Sequence, residues 1–345
     1  MKHLLSIFLV LASCTAFAKK QEPNLVTIFP CRGWDLNVES YRYDPTLPSL
    51  NLWQKIDKIL RKHKLQLTVS KDFDQATFDK SAKIICLNIP NWIPGASKMI
   101  SLLPRKKSIL ITFEPPSVIR SNFSPTTFRA FHKILTWDDA LIDNKKFFKF
   151  NYFVLQPMIK DIPPYSQKKF LTQISGHKHS SHPNELYSER RKVIDYFEKR
   201  PSIEFEFYGK KWDGKGYRNY KGAPPCKLAV LKNYKFSICY ENMKDVKGYI
   251  TEKIFDCFAA GCVPIYWGAS NVRYFIPSNC FIAREDFSSF DALVDFLQKM
   301  DEQTYNQYLQ NIRTYLNSQQ AQEFSAQTFA KTLLEVLEIP NPPLE

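Results

Sequence analysis

Phe236, Ile238 and Tyr240 alternate with smaller or polar residues, so the run from Lys235 to Tyr240 predicts a largely buried strand that ends on Glu241 and Asn242. Beyond a loop closed by Gly248, the apolar residues Ile254, Phe255, Phe258 and Ala259 recur at helical spacing. Thr251 is placed to cap that helix and Gly261 to stop it. Short apolar runs at Leu25 to Phe29, Leu65 to Val69, Lys83 to Leu87, Ser108 to Phe113 and Ile134 to Trp137 predict further strands, with Leu52 to Lys62 an amphipathic helix among them. A second series follows: a strand at Phe170 to Ile174, a helix from Glu185 to Lys199, a strand at Ile203 to Tyr208, and helices over Phe290 to Leu297 and Thr304 to Leu316. A last helix near Phe329 to Leu337 is placed to pack back across the boundary between the two series.

Strands alternating with helices give an α/β fold class, and 345 residues exceed what one core holds. Two domains are expected, over 19–160 and 161–345, behind a leader at 1–18. The junction falls in Gln156 to Tyr165, where QPMIKDIPPY combines three prolines with few core-forming residues. No internal repeat or long low-complexity segment points to a solenoid or a scaffold.

Lys253 falls in the first turn of the helix that follows Thr251, where the helix dipole disfavours an ammonium unless an anion is near. Exposed amides and Lys253 would together hold a diphosphate, and Glu252 would accept hydrogen bonds from a ribose. On spacing alone, a solvated charge pair on a surface helix fits equally well.

The strings FSICYEN, GYITEKIFD, AGCVPIYWG and FIPSNCFI, in that order over about 50 residues, resemble the C-terminal signature of glycosyltransferase family 10, the α-1,3-fucosyltransferases. The resemblance implies the GT-B arrangement, two facing Rossmann-like domains with a cleft between them, and GDP-fucose as donor. It implies donor-binding roles for Asn242, Tyr249, Glu252 and Lys253, with Tyr249 stacking on or hydrogen-bonding the donor. The basic residue that helps hold the diphosphate maps to Arg190, seven positions before Phe197, in preference to the adjacent Arg191. The base maps to Glu114, which SILITFEPPSV sets just beyond a strand that Pro115 and Pro116 stop.

Displacement at a sugar carbon needs a carboxylate to take the acceptor proton and cations to stabilise the departing diphosphate. Attack opposite the leaving group inverts the anomeric centre. Lysine and arginine can supply the positive charge, so no cofactor and no metal is required on this reading. Asp138 and Asp139 in WDDALID point opposite ways if extended and read as a surface loop with Asp143, or as part of the acceptor side of the cleft. His177, His179 and His182 lie in a polar stretch without an acidic or cysteine partner at metal spacing.

Net charge is +14, which fits a donor diphosphate and an anionic membrane surface. The basic residues are dispersed and no finger or basic helix concentrates them, so no nucleic-acid partner is expected. The opening MKHLLSIFLVLASCTAFAKK has a basic start, an apolar core and small residues after it. Cleavage after Ala18, lipidation at Cys14 and retention as a short anchor all remain open, and each gives an exported or membrane-associated protein. A secretory lumen suits a eukaryotic source, and the cytoplasmic face of a membrane suits an uncleaved anchor. Beyond Cys14, the seven cysteines form no CxxC pair, and Cys86, Cys239, Cys257 and Cys262 sit in apolar contexts as small core residues. The expected activity is inverting transfer of fucose from GDP-fucose to a hydroxyl of a glycan or glycolipid. The alternatives are another nucleotide sugar on the same fold, or an exported glycan-binding protein without turnover.

Overall fold

The computed structural model describes residues 23–30, 50–90 and 95–340. The leader expected at 1–18, with Cys14, and Cys31 lie outside the described residues. The first series runs β1 (Leu25–Phe29), α1 (Leu50–Lys62), β2 (Gln66–Val69), α2 (Gln75–Lys80), β3 (Ser81–Leu87), α3 (Ala96–Ile100), β4 (Ser108–Thr112), α4 (Pro125–Ala130), β5 (Lys133–Thr136) and β6 (Phe147–Lys149). The second runs β7 (Lys169–Ile174), α5 (Tyr187–Glu198), β8 (Phe205–Tyr208), α6 (Lys227–Leu231), β9 (Tyr234–Tyr240), α7 (Glu252–Ala259), β10 (Val263–Trp267), α8 (Val272–Phe275), β11 (Ile282–Ala283), α9 (Phe290–Lys299), α10 (Glu302–Leu316) and α11 (Ala326–Val336).

The strands form two sheets, ordered β2-β1-β3-β4-β5-β6 and β11-β10-β9-β7-β8, and every pairing is parallel. Parallel strands need helical crossovers, which cover both faces and bury the strands as continuous apolar runs. Thus β4 is buried along its whole length, and β9 is buried at every position but Lys235. In the second sheet β8 lies on one side of β7 and β9 on the other, so the order reverses between β7 and β9. The carboxyl ends of two strands at such a reversal leave a crevice open to ligands.

Several element ends differ from the sequence reading. The helix expected from Glu185 begins at Tyr187, because the Glu185 carboxylate turns back to accept from the Ser188 amide at 3.0 Å. Thr251 occupies the N-cap of α7 but makes no side-chain cap bond. Its hydroxyl donates instead to the buried carboxylate of Glu241 at 2.8 Å. A buried carboxylate needs donors more than an amide at a partly solvated helix end needs an acceptor. Gly261 ends the helix with φ +62, the left-handed value expected there.

The last helix, α11, packs on the first sheet. Phe329, Leu333 and Leu334 share one buried cluster with Val26, Trp53, Ile85 and Leu135. Just beyond it, Glu338 pairs with Lys83 and Lys133 at 3.1 Å each.

The WDDALID segment is not a plain surface loop. Asp139 accepts from Lys149 Nζ at 2.6 Å and from Asn271 Nδ2, in the second series, at 2.8 Å. Asn271 Oδ1 in turn accepts from the Gly248 amide at 2.8 Å. These bonds join the two halves beside the crevice. Asp143 does stay in an exposed turn, where it accepts from the amides of Lys145, Lys146 and Phe147. The cysteines among the described residues are all free thiols, and Cys86, Cys239, Cys257 and Cys262 are buried.

Candidate functional site

The carboxyl end of β9 delivers Glu241 and Asn242 to the crevice, and the two residues do different things. Glu241 turns into the protein and is fully buried. Its carboxylate accepts from the Thr251 amide and hydroxyl, both at 2.8 Å, and from Lys253 Nζ at 3.0 Å. A buried carboxylate with three donors, one of them cationic, is satisfied. Close approach depends on Gly268, where a Cβ would stand 2.5 Å from Glu241 Cγ. Sequence reasoning placed Glu241 at the strand end but gave it no function. The signal was there: a lone carboxylate closing an apolar strand, followed by the cation of the next helix.

Lys253 Nζ also accepts the company of Thr251, donating to its Oγ1 at 2.9 Å, and lies 3.8 Å from Glu252. Burial works against the charge on Lys253, but Glu241 and Glu252 outweigh it and hold the ammonium above its ordinary pKa. Glu252 is the more open of the pair, with 41% of its side chain exposed, and contacts Lys227 Nζ at 3.3 Å. Burial opposes its ionisation too, yet Lys253 and Lys227 keep its carboxyl below the usual range.

Arg190 comes from the first turn of α5 and is buried. Its Nη2 donates to the Tyr240 carbonyl at 2.6 Å and to Asn242 Oδ1 at 3.1 Å, and its guanidinium lies over the Tyr187 ring, 5.1 Å from the centroid. Arg190 and Lys253 line one pocket, and their positive charges act on one another. Arg191 turns away, donating to the Lys178 carbonyl at 2.6 Å. Of the two arginines, Arg190 is the one that lines a pocket with Lys253.

Asn242 links two of these groups, because its Nδ2 donates to the Tyr249 hydroxyl at 3.2 Å. Of the two roles expected of Tyr249, stacking on the donor is corrected. Its ring is 1% exposed, 4.6 Å from Trp137 and 6.2 Å from Tyr152, so no face is open for stacking on a ligand. The reason is its place at the junction of the two halves, where burying a large ring is strongly favourable.

Glu114 follows β4 of the first sheet. Its backbone is fixed by two asparagines: the amide donates to Asn88 Oδ1 at 2.8 Å and the carbonyl accepts from Asn122 Nδ2 at 3.0 Å. Burial raises the Glu114 carboxyl above its ordinary pKa, while Lys253 and Lys178 pull it down and Glu252 pushes it up. A carboxylate of the first half therefore lies within electrostatic reach of the Glu252 and Lys253 side chains of the second. Tyr187 belongs to the same constellation, since the charges of Arg190, Glu114 and Lys253 all act on its hydroxyl. Nothing in the sequence pattern distinguished it from a core aromatic.

The histidines stand apart from this constellation. His177 meets Trp212 edge-on at 4.6 Å and His179 at 4.8 Å, and His182 Nδ1 accepts from the Asn184 amide. Among the described residues no group of three or more His, Cys, Asp or Glu is arranged to hold a metal ion.

Comparison with known proteins gives this arrangement a family. Residues 166–337 match the family model "Glycosyltransferase family 10 (fucosyltransferase) C-term". Over 72 residues the chain is 38% identical to an alpha-(1,3)-fucosyltransferase of Helicobacter pylori, covering 21% of this chain and 15% of that protein. Over 116 residues it is 36% identical to a 4-galactosyl-N-acetylglucosaminide 3-alpha-L-fucosyltransferase of Mus musculus, covering 33% and 30%. The matched stretches thus span less than a third of these relatives. A crystal structure of an alpha1,3-fucosyltransferase with GDP superposes over 94% of each chain with a TM-score of 0.55 at 18% identity, a likeness of fold. The two parallel sheets with their helices are the GT-B fold, and by its C-terminal domain the chain belongs to glycosyltransferase family 10, the fucosyltransferases.

Proposed function

We propose that this protein is an inverting glycosyltransferase that moves fucose from GDP-fucose to a hydroxyl of a glycan or glycolipid. One observation carries the reading: the Glu114 carboxylate of the first half lies within electrostatic reach of the Lys253 ammonium of the second, which pulls its pKa down against burial. In this reading residues 19–160 form the acceptor side and 161–345 the donor side.

Arg190 and Lys253 bind the diphosphate, one on α5 and the other at the start of α7, and Glu252 accepts from the ribose hydroxyls. Asn242 holds the Arg190 guanidinium, and Tyr249 holds Asn242. Glu114 takes the proton of the acceptor hydroxyl as its oxygen forms a bond to the anomeric carbon. The bond from that carbon to the diphosphate oxygen breaks on the opposite face, so the configuration inverts. Charge growing on GDP is stabilised by two cations already held in place by Glu241, Asn242 and the Tyr240 carbonyl. Protein cations supply this charge, and the reaction is proposed to need no cofactor.

Burial that raises the Glu114 pKa supports the role, because a base is most effective when its pKa lies near the working pH. The leader at 1–18 supports an exported or membrane-associated location. Among the described residues no helix is long and apolar enough to cross a membrane.

Calorimetric titration with GDP and then UDP in metal-free buffer tests the donor site. Binding of GDP in preference to UDP is expected. Turnover of GDP-fucose with a galactosyl-N-acetylglucosaminide then tests transfer. Transfer from a different nucleotide sugar would retain the mechanism and change the donor, whereas glycan binding without nucleotide binding would replace the enzyme reading.

A further inference from the structure

The crevice between β7 and β9 continues as a pocket lined by Gln173, Arg190, Lys227, Lys253 and Asp256, with Leu231 and Ile238 as apolar wall. Arg190 and Lys253 are accounted for by a diphosphate. Lys227 and Asp256 are not: they pair at 2.9 Å inside the pocket, Lys227 on α6 and Asp256 on α7. Gln173 adds an unsatisfied acceptor. Its amide nitrogen donates to Ser175 Oγ and the Arg190 carbonyl, but its buried Oε1 has no hydrogen-bond partner. A buried acceptor left open in a pocket is completed by a ligand that brings donors.

Glu252 and Asp256 are four residues apart on α7 and so share one face of the helix. If Glu252 takes the ribose hydroxyls, Asp256 stands one turn further along, on the side where Lys227 bridges both carboxylates. A carboxylate only accepts and an ammonium only donates, so the pair presents acceptors beside donors. Among nucleobases, guanine offers the complement, two adjacent N–H groups next to a carbonyl oxygen. Adenine offers one donor beside an acceptor nitrogen, and uracil one donor between two carbonyls.

We infer that Asp256 and Lys227 read the base of the donor: the carboxylate accepts from N1–H and the N2 amino group of guanine, and the ammonium donates to O6. The inference rests on the nucleotide-sugar reading above and names how that site selects its nucleotide. Leu231 and Ile238 give the pocket apolar wall for the faces of a base. Burial raises the Asp256 carboxyl to about 6, against the pull of Lys227, and two N–H donors would favour its ionised form.

The test is calorimetric titration of the full chain with GDP, IDP and ADP. IDP lacks only the N2 amino group. The wild type should bind GDP about tenfold or more tighter than IDP, with ADP weaker still. Asp256→Asn should bring GDP and IDP within about threefold of one another. Equal affinity of the wild type for GDP and IDP, or an unchanged ratio in Asp256→Asn, would overturn the inference while GDP binding left the donor reading intact. Failure to bind any of the three would overturn the donor reading and this inference with it. Lys227→Met gives an independent reading should the Asn variant not fold. It should weaken GDP about tenfold more than it weakens the diphosphate of 2-aminopurine riboside, which lacks O6, because the loss of Lys227 from Glu252 falls on the ribose of both alike. Equal weakening of both would count against a base-reading role.

Discussion

The Glu241 carboxylate lies 3.0 Å from the Lys253 ammonium, with the acid fully buried and 23% of the lysine side chain exposed. The acid is therefore a fixed support, and the lysine is the member of the pair that can reach a ligand. Removing one partner of a buried pair strands the other charge. Glu241→Ala is expected to lose about 3–5 kcal/mol of stability in denaturant unfolding. The double variant Glu241→Ala with Lys253→Met should lose less than the sum of the single losses, because neither charge is then stranded.

Lys253→Ala should weaken GDP by about ten- to a hundredfold, the value of a charge-assisted contact. Glu241 keeps its two bonds from Thr251 in that variant, so the fold should survive. Titration of GDP into the folded variant checks both points.

The raised Glu114 pKa has a sign that can be worked out. Burial favours the protonated acid in the folded protein, so its folded pKa lies above the unfolded value. Its contribution to stability is full below the unfolded pKa and is lost as pH rises through the folded one. Glu114→Gln removes that penalty and should raise the melting temperature at neutral pH, and the gain should vanish in acid. Activity runs the other way. Transfer needs the carboxylate and should fall as pH drops through a value above the ordinary glutamate range.

Gly248 sits at φ +85 in the loop between β9 and α7, against the first half, and a Cβ there would stand 2.2 Å from the Trp137 carbonyl oxygen. Gly248→Ala combines strain with a clash against backbone and is expected to cost about 2 kcal/mol or more. Asn271→Ala, which removes the bonds to Asp139 and the Gly248 amide, should cost about 1–3 kcal/mol. Thermal unfolding ranks the two.

What the sequence made legible was local. The alternation from Phe236 to Tyr240, the helix periodicity after Thr251 and the stop at Gly261 are set by neighbours a few residues apart, and the structure has them where the pattern puts them. Family motifs then singled out Arg190, Asn242, Glu252 and Lys253, which the fold brings together with Glu114. The rest depends on partners far along the chain. Asp139 meets Asn271 across 132 positions, and no periodicity carries that contact. The close packing of Gly268 on Glu241, and of Tyr249 between Trp137 and Tyr152, comes from how two sheets meet. Buried tyrosines and an exposed donor-stacking tyrosine look alike in sequence, which is why stacking was expected of Tyr249 and Tyr187 was overlooked.

We propose a division of labour between the halves, with Glu114 acting on the acceptor and Arg190 with Lys253 on the donor. It is tested most directly by measuring GDP affinity and fucose transfer side by side in Glu114→Gln. GDP binding within about twofold of wild type, with transfer reduced by about 10²–10⁴, is the predicted result. Transfer near the wild-type rate, or a loss of GDP affinity matching that of Lys253→Ala, would contradict it.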